Sequence, residues 1–483
     1  MDKNSFDLEE IARKQMLSRG LQPDYPTAAL HQLEKIDQPA PPTNELQDLR
    51  KLLWCSIDND DSRDLDQLTY AEKMDGNFTI YIAIADVDVL IDKDTPIDQH
   101  AQVNTTTVYT PAKIFPMLPE KLSTNFTSLN EGVDRVAMVV KAAVNPQGEL
   151  QKSEIFHALV HNHAQLTYNG VGGWFEGKKE IPAKVAALAG LAEILQLQNQ
   201  AAKALRQKRI SIGALSLETP EAMPIFSGGR LVNMEPATSN SAHHLIENFM
   251  IAANNSIARF LAKEKIPSLR RVVRVPKRWD KIVELAQEKG FQLPAEPDSK
   301  ALDNFLIKMK KEDPVPFPDL SLSIVKLLGS GEYIVEKPGE PPVGHFGLAL
   351  RDYTHSTAPN RRYPDVITQR QIKAALGIAK VHYNNNELDK LAYHCTIQED
   401  AADKVQRATR KSAAALLLQD KIGQSFDGII TGASEKGTWV RIFEPAVEGK
   451  IVKGAEGLDV HDRVTVKLVG AYVPEGFIDF VRE

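Results

Sequence analysis

The segment Ser56-Ile57-Asp58-Asn59-Asp60-Asp61-Ser62-Arg63-Asp64-Leu65-Asp66-Gln67 places five aspartates within nine residues. Carboxylates at that density suit a hard divalent cation. Mg²⁺ takes oxygen ligands and keeps waters and substrate phosphates in its shell. Asp64 and Asp66 flank Leu65, so in an extended segment both point to one face. Asp58 can return to the same point across a turn. Two metals about 4 Å apart on such a cluster would activate a water and stabilise a leaving oxygen. Aspartate-rich loops are also solvated turns or calcium sites. This run departs from the EF-hand loop, having neither the Gly nor the Glu at the required positions.

The elements that must position these groups follow from periodicity. Residues 77–89 alternate and are rich in Ile, Val and aromatics, which predicts a strand, and 136–144 predicts another. Helical spacing predicts helices over 5–17, 25–36, 182–208, 242–263 and 386–420. Pro182 suits a first helical position, and Ser239 or Ser241 is the expected cap of the fourth helix. The proline-rich run 38–42 reads as a linker. Residues 1–50 are expected to form a small helical or winged-helix module, or an arm packed on the next domain. Residues 51–420 are expected to form one large mixed α/β domain. Residues 421–483, with short glycine-punctuated strands at 426–443, 463–468 and 476–481, suggest a small barrel of the OB type.

Composition narrows the class. The chain has 483 residues, 42% hydrophobic and 25% charged, enough for a large core. It holds no apolar run of membrane-spanning length, and its acidic, polar start lacks the form of a secretory signal. Two distant cysteines, Cys55 and Cys395, support neither a disulfide framework nor a cysteine-rich zinc site, so a reducing cytoplasm is the expected location. A net charge of -6 argues against a protein that coats duplex nucleic acid, though not against one that threads a single strand through a local basic channel.

The aspartate run resembles the catalytic signature of the ribonuclease II/R family, whose aspartates stand at relative positions 0, 6, 8 and 9. Asp58, Asp64 and Asp66 match the first three, and Gln67 departs at the fourth. Further similarities follow in order: IADV at 84–87, VYTP with FPMLPEKLS at 108–123, LIENFMIAAN at 245–254, HFGLAL at 345–350 and TAPNRRYPD at 357–365. The resemblance spans about residues 50–483. It implies an α+β fold with a mixed α/β catalytic domain and a C-terminal S1-type OB barrel. It implies 3′-to-5′ hydrolysis of single-stranded RNA to nucleoside 5′-monophosphates with Mg²⁺, or Mn²⁺, by a monomer.

By the same resemblance Asp58, Asp64, Asp66 and Arg361 are the catalytic group, and Asp58, Asp64, Asp66 and Gln67 the metal ligands. A neutral glutamine at the fourth position lowers the expected metal affinity, with Asp60 or Asp61 as helpers. Tyr109, Tyr168, Glu247, Arg362 and Trp439 are the implied RNA-binding residues. Tyr109 would stack on a base, and Tyr168 and Glu247 would meet the terminal ribose. The family's second stacking aromatic falls near Leu217, so that clamp is expected to be absent. The basic run Arg270, Arg271, Arg274, Lys277 and Arg278 could line a channel or form a solvated strand. On the barrel, Phe426, Trp439 and Phe443 are candidate aromatic contacts, and Lys436 and Arg441 candidate phosphate contacts. Gln67, Leu217 and Asn360 together motivate an alternative: an RNA-binding protein of this fold with weakened catalysis.

Overall fold

The computed structural model describes every residue except 1–5, 44, 219–221, 228–229, 237, 315, 381–382, 435–436 and 461. Asp7 opens the first helix, α1 (Leu8–Leu17), by accepting from the amides of Glu9 and Glu10. The expected start at Ser5 lies outside the described residues. After α2 (Thr27–Glu34), the two-residue β1 (Gln47–Asp48) pairs into the sheet of the next body. Among the described residues up to 50 no wing is built, and the region is an arm packed on the rest of the chain.

The central sheet is built by β2 (Trp54–Asp58), β3 (Gln67–Met74) and β4 (Asn77–Ala85), later joined by β7 (Asp134–Val144) and β8 (Leu150–Thr167). Its order is β1-β8-β2-β3-β4-β7, and β8 also pairs with β7. The eighteen residues of β8 reach β7 along the first stretch and β2 along the last, so the sheet curls back on itself. Between β4 and β7 lie α3 (Pro96–Asn104) and a small hairpin, β5 (Val108–Tyr109) with β6 (Ile114–Phe115).

One face of the sheet is covered by helices. Thr167 caps α4 (Tyr168–Phe175). The helix expected over 182–208 is two: α5 (Ala183–Ala187), preceded by Pro182, and α6 (Leu191–Ser211). Leu188 turns extended and Gly190 adopts φ 89°, a left-handed conformation that glycine takes without a Cβ penalty, and so the helix breaks there. After the β9 (Ala222–Ser227) and β10 (Arg230–Pro236) hairpin comes α7 (Ser241–Lys263). Its cap is Asn240, in a reciprocal capping box with His243, rather than Ser239 or Ser241. Ile80, Ile82, Ile84, Met138 and Val140 pack with Leu195 and Leu205 of α6 and Leu245 and Phe249 of α7 in one core.

The rest of the body comprises β11 (Ser268–Val272), three helices with their own core, α8 (Trp279–Glu288), α9 (Ser299–Glu312) and α10 (Phe317–Leu328), then β12 (Glu332–Glu336) and α11 (Tyr363–Ala375). The long α12 (Asn385–Leu418) ends inside the core of the last body, where Ala415 and Leu418 join barrel residues. That body is a closed barrel, β13-β14-β15-β17-β16, made of β13 (Ser425–Ser434), β14 (Gly437–Ile442), β15 (Val447–Lys453), β16 (Arg463–Tyr472) and β17 (Phe477–Arg482). The chain is therefore a mixed helix–strand fold with a C-terminal five-stranded barrel, as expected. β15 was not foreseen: its apolar positions are separated by charged and glycine residues.

The basic run is not a free channel wall. On β11 and just after it, Arg270 pairs with Glu336 at 2.8 Å, Arg271 with Glu399 at 2.5 Å and Arg274 with Glu332 at 2.5 Å. Only Lys277 and Arg278 of that run are simply exposed. The antiparallel partner β12 supplies two of the three carboxylates, which sequence spacing cannot reveal.

Candidate active site

Three elements deliver the acidic groups. Asp58 ends β2 opposite Thr167 of β8, so Tyr168 follows directly beside it. Leu65 is fully buried and tied down on both sides: its amide donates to Ser128 Oγ at 2.8 Å, and its carbonyl accepts from Leu129 N at 2.9 Å. With Leu65 turned into the core, its neighbours Asp64 and Asp66 face the other way. Gln67 opens β3. Asp58 thus ends β2, Asp66 stands immediately before β3, and Asp64 lies in the segment between them that Leu65 anchors. Asp60 and Asp61 lie exposed outside this group, and Asp60 accepts from Asn169 Nδ2 at 2.7 Å.

Arg361 comes from the segment before α11 and is strapped to the hairpin's lead-in strand. Thr107 N donates to Arg361 O at 3.0 Å, and Tyr363 N to Thr105 O at 2.8 Å. Asn360 N donates to Asp66 Oδ1 at 2.9 Å, and Arg361 Nε stands 3.4 Å from Asp66 Oδ2. Tyr109, at the hairpin, donates its hydroxyl to Asp64 Oδ2 at 3.3 Å. Gln67 Nε2 donates to Asp58 Oδ1 at 3.2 Å. A carboxylate only accepts, so the amide of Gln67 must show Asp58 its nitrogen.

The electrostatics match a cation site. Burial, reinforced by the charge of Asp64, pushes the Asp58 carboxyl up to about 7 despite Arg361 and Gln67. Burial pushes Asp66 up to about 7 as well, with Arg361 opposing and Asp64 adding to the rise. Asp64 is raised by burial, while Arg361 and Tyr109 oppose the shift. Three carboxylates that resist ionising together in a low-dielectric corner would be relieved by a positive ion. Asp58 Oδ2 is buried with no hydrogen-bond partner, an acceptor left for such an ion. Among the described residues no three acidic, His or Cys side chains are gathered tightly enough to enclose a metal unaided.

The other expected residues divide. Burial raises the Tyr168 phenol, with the charge of Asp58 adding to the rise and Arg361 opposing it. Its ring stacks on His243 at 4.0 Å with 13° between planes, a partner that no motif singles out. Glu247, one turn along α7, pairs with Arg209 at 3.3 Å and His244 at 3.5 Å; burial would raise its carboxyl, and these two partners bring it below the usual range. Arg362 is turned inward to Asp365 at 2.7 Å, leaving Arg361 as the guanidinium facing the carboxylates. Leu217 packs against the α8–α10 core. On the barrel Trp439 is half-buried, with Lys450 Nζ 5.9 Å from its ring centroid, and Phe443 is exposed. Phe426 packs on the barrel core. Arg441 does not reach out for phosphate: both of its terminal nitrogens are held by Asp319 of α10, at 2.9 and 3.0 Å. Lys436 lies outside the described residues.

Comparison with known proteins bears on the family and the fold. The sequence profile of the RNB domain matches residues 46–378, and that of the RNase II-type exonuclease C-terminal S1 domain matches 424–483. Ribonuclease R of Escherichia coli K12 is 33% identical over 442 residues, covering 88% of this chain and 53% of that protein. Ribonuclease R of Aquifex aeolicus is 31% identical over 458 residues, covering 92% and 64%. The chain thus spans about half the length of the first of these relatives. Among solved structures, Mycoplasma genitalium RNase R in complex with ribose-methylated single-stranded RNA superposes with a TM-score of 0.88 at 23% identity, over 99% of this chain and 79% of that one. Yeast Ssd1, described as a pseudonuclease, superposes with a TM-score of 0.72 at 15% identity, over 95% of this chain and 56% of that one.

Proposed function

The chain belongs to the RNB-domain family, and on that premise we propose that it is a metal-dependent exoribonuclease, removing nucleoside 5′-monophosphates processively from the 3′ end of single-stranded RNA. The observation that carries this reading is the meeting of Asp66, Arg361 and the Asn360 amide, with Asp58 and Asp64 in electrostatic contact with them.

Asp58, Asp64 and Asp66 would hold Mg²⁺, or Mn²⁺ in its place, and the carbonyl of Gln67 is a fourth, neutral donor. The bound cation would activate a water and neutralise charge on the scissile phosphate. The protein's own groups do the rest. The Asn360 amide fixes the rotamer of Asp66. Arg361, half-exposed beside Asp66, is placed to donate to a phosphate oxygen through its planar fork and stabilise the charge developing there. Tyr109 and Tyr168 flank the carboxylates and offer a base-stacking face and a ribose contact, and Glu247 lies one helical turn beyond His243 for the same ribose. Trp439 offers a stacking surface on the barrel.

A specific observation supports a second reading, RNA binding with weakened hydrolysis. Gln67 already donates to Asp58, and the pseudonuclease Ssd1 has a similar fold. The discriminating experiment incubates the protein with RNA labelled in its 3′-terminal nucleotide and Mg²⁺, beside Asp66→Asn. This substitution keeps the acceptor for Asn360 N but removes the charge. Mononucleotide release that falls by about a thousandfold or more in the variant, with RNA binding retained, is the expected result. Binding without release by the unaltered protein would establish the second reading instead.

A further inference from the structure

Tyr109 is carried by a very small hairpin. Val108 pairs with Phe115 and Tyr109 with Ile114, and each strand is two residues long. A two-stranded hairpin is marginal in water without something to pack on. Alternation puts Val108 and Phe115 on one side, 0% and 3% exposed, and Tyr109 and Ile114 on the other.

The covered side rests on the N-terminal arm. Val108 and Phe115 share one apolar cluster with Ala12 and Met16 of α1, Leu21 just after it, and α12 residues including Ala402 and Val405. Polar contacts fix the same seam. Lys113 Nζ, in the hairpin turn, donates to Glu9 Oε1 at 2.6 Å. Tyr25 Oη donates to Pro116 O, one residue past the second strand, at 2.6 Å. The N-terminal turn of α1 meets the barrel, where Leu8 and Ile11 pack against its core. The helix is thus a wedge between the barrel, α12 and the back of the tyrosine hairpin.

We propose that α1 is the backing of this hairpin, with Met16 and Glu9 acting as positioning residues that hold Tyr109 over Asp64 and so set how firmly the last base of the RNA is gripped. The inference rests on the reading of Tyr109 as a stacking residue. Met16 is 0% exposed and shares one apolar cluster with Val108, the residue next to the tyrosine. Without it the hairpin keeps its sequence but loses the surface that selects one conformer. The stacking face is then no longer pre-organised.

The test uses the full chain in EDTA, so that no turnover intrudes, with a short RNA carrying 2-aminopurine at its 3′ nucleotide. Stacking on Tyr109 quenches the probe. Met16→Ala should weaken binding by about five- to tenfold, the lower range of one lost stacking contact, and reduce the quench. Met16→Leu should restore both. With Mg²⁺, KM should rise while kcat stays within about twofold, a split that general loss of folded protein would not produce. Glu10→Gln, on the exposed side of the same helix, should behave as the unaltered chain. Lys113→Glu, a surface change that sets like charges against Glu9, should shift quench and affinity in the same direction, and it serves if Met16→Ala fails to fold. Met16→Ala combined with Tyr109→Ala should be no weaker than Tyr109→Ala alone. Quenching that depends on Tyr109 but is untouched by Met16→Ala and Lys113→Glu would overturn this inference alone. Quenching indifferent to Tyr109→Ala would overturn the stacking reading beneath it.

Discussion

Gln67 stands where the resembled catalytic signature carries its fourth aspartate. Its family counterpart is an aspartate, and here an amide donates to Asp58 instead of repelling it. The proposed cation site thus holds one negative charge fewer than a site with four carboxylates, and a cation would gain less from it. Gln67→Asp should raise Mn²⁺ affinity by about tenfold, equivalent to roughly 1.4 kcal/mol, measured by calorimetric titration of the metal-free protein. Equal affinities in the two proteins would show that the side chain at 67 does not sense the ion. At this scale the sequence was legible where the contact is local. Asp64 and Asp66 share a face because Leu65 between them must be buried, and alternation alone predicts that. It was silent where partners are distant: the amide that orients Asp66 comes from 294 residues away, and the two tyrosines acquire meaning only once β8 and the hairpin bring them to the carboxylates.

Helices and strands hold these groups through buried polar locks. Arg370 of α11, fully buried, pairs with Asp88 at 2.5 Å and Asp98 at 2.8 Å, while Lys373 pairs with Asp86 at 2.7 Å. These tie α11, the helix that follows Arg361, to the chain leaving β4. A second lock fastens the arm to α3. Asn104 is held in one orientation: its Oδ1 accepts from Gln22 N and its Nδ2 donates to Gln22 O, both at 2.8 Å. Its Nδ2 also stands 3.3 Å from His100 Nε2, which must therefore accept, and His100 Nδ1 faces Gln22 Oε1 at 3.2 Å. Tyr25 covers the ring at 4.4 Å between centroids. Burial pushes His100 down to about 4, with Asp24 opposing weakly. The folded state then binds fewer protons than the unfolded chain between that value and about 6.5, so stability falls as pH drops through this window. Between pH 7 and 5 the loss from His100 should be about 2 kcal/mol, read as the extra acid sensitivity of the unaltered protein over His100→Gln in urea melts. Parallel pH profiles for the two would contradict the lock. Element types were largely legible from periodicity, whereas caps and breaks were not. Ser239, Asn240 and Ser241 are all good caps by type, and only the approach of His243 selects Asn240.

For the molecule as a whole, the question is how an acidic chain grips a polyanion. The net charge is -6, and the cations that composition offered for RNA are largely committed. Arg270, Arg271 and Arg274 each have a glutamate, and Arg441 has Asp319. These pairs join β11 to β12 and α12, and the barrel to α10, so they hold bodies together rather than face outward. Arg361 is the half-exposed guanidinium at the carboxylates, and Lys450 stands over Trp439. If binding relies on stacking at Tyr109, Tyr168 and Trp439 and on about three phosphate contacts, the slope of log affinity against log salt should be near -2, since each contact to a single strand contributes about -0.7. Fluorescence anisotropy of a labelled single-stranded RNA in EDTA, across several KCl concentrations, measures it. Arg361→Gln should flatten the slope by one contact, whereas Trp439→Ala should lower affinity by about fivefold or more at every salt concentration and leave the slope unchanged. A slope of about -5 or steeper would mean that a basic groove, not aromatic stacking, carries the strand.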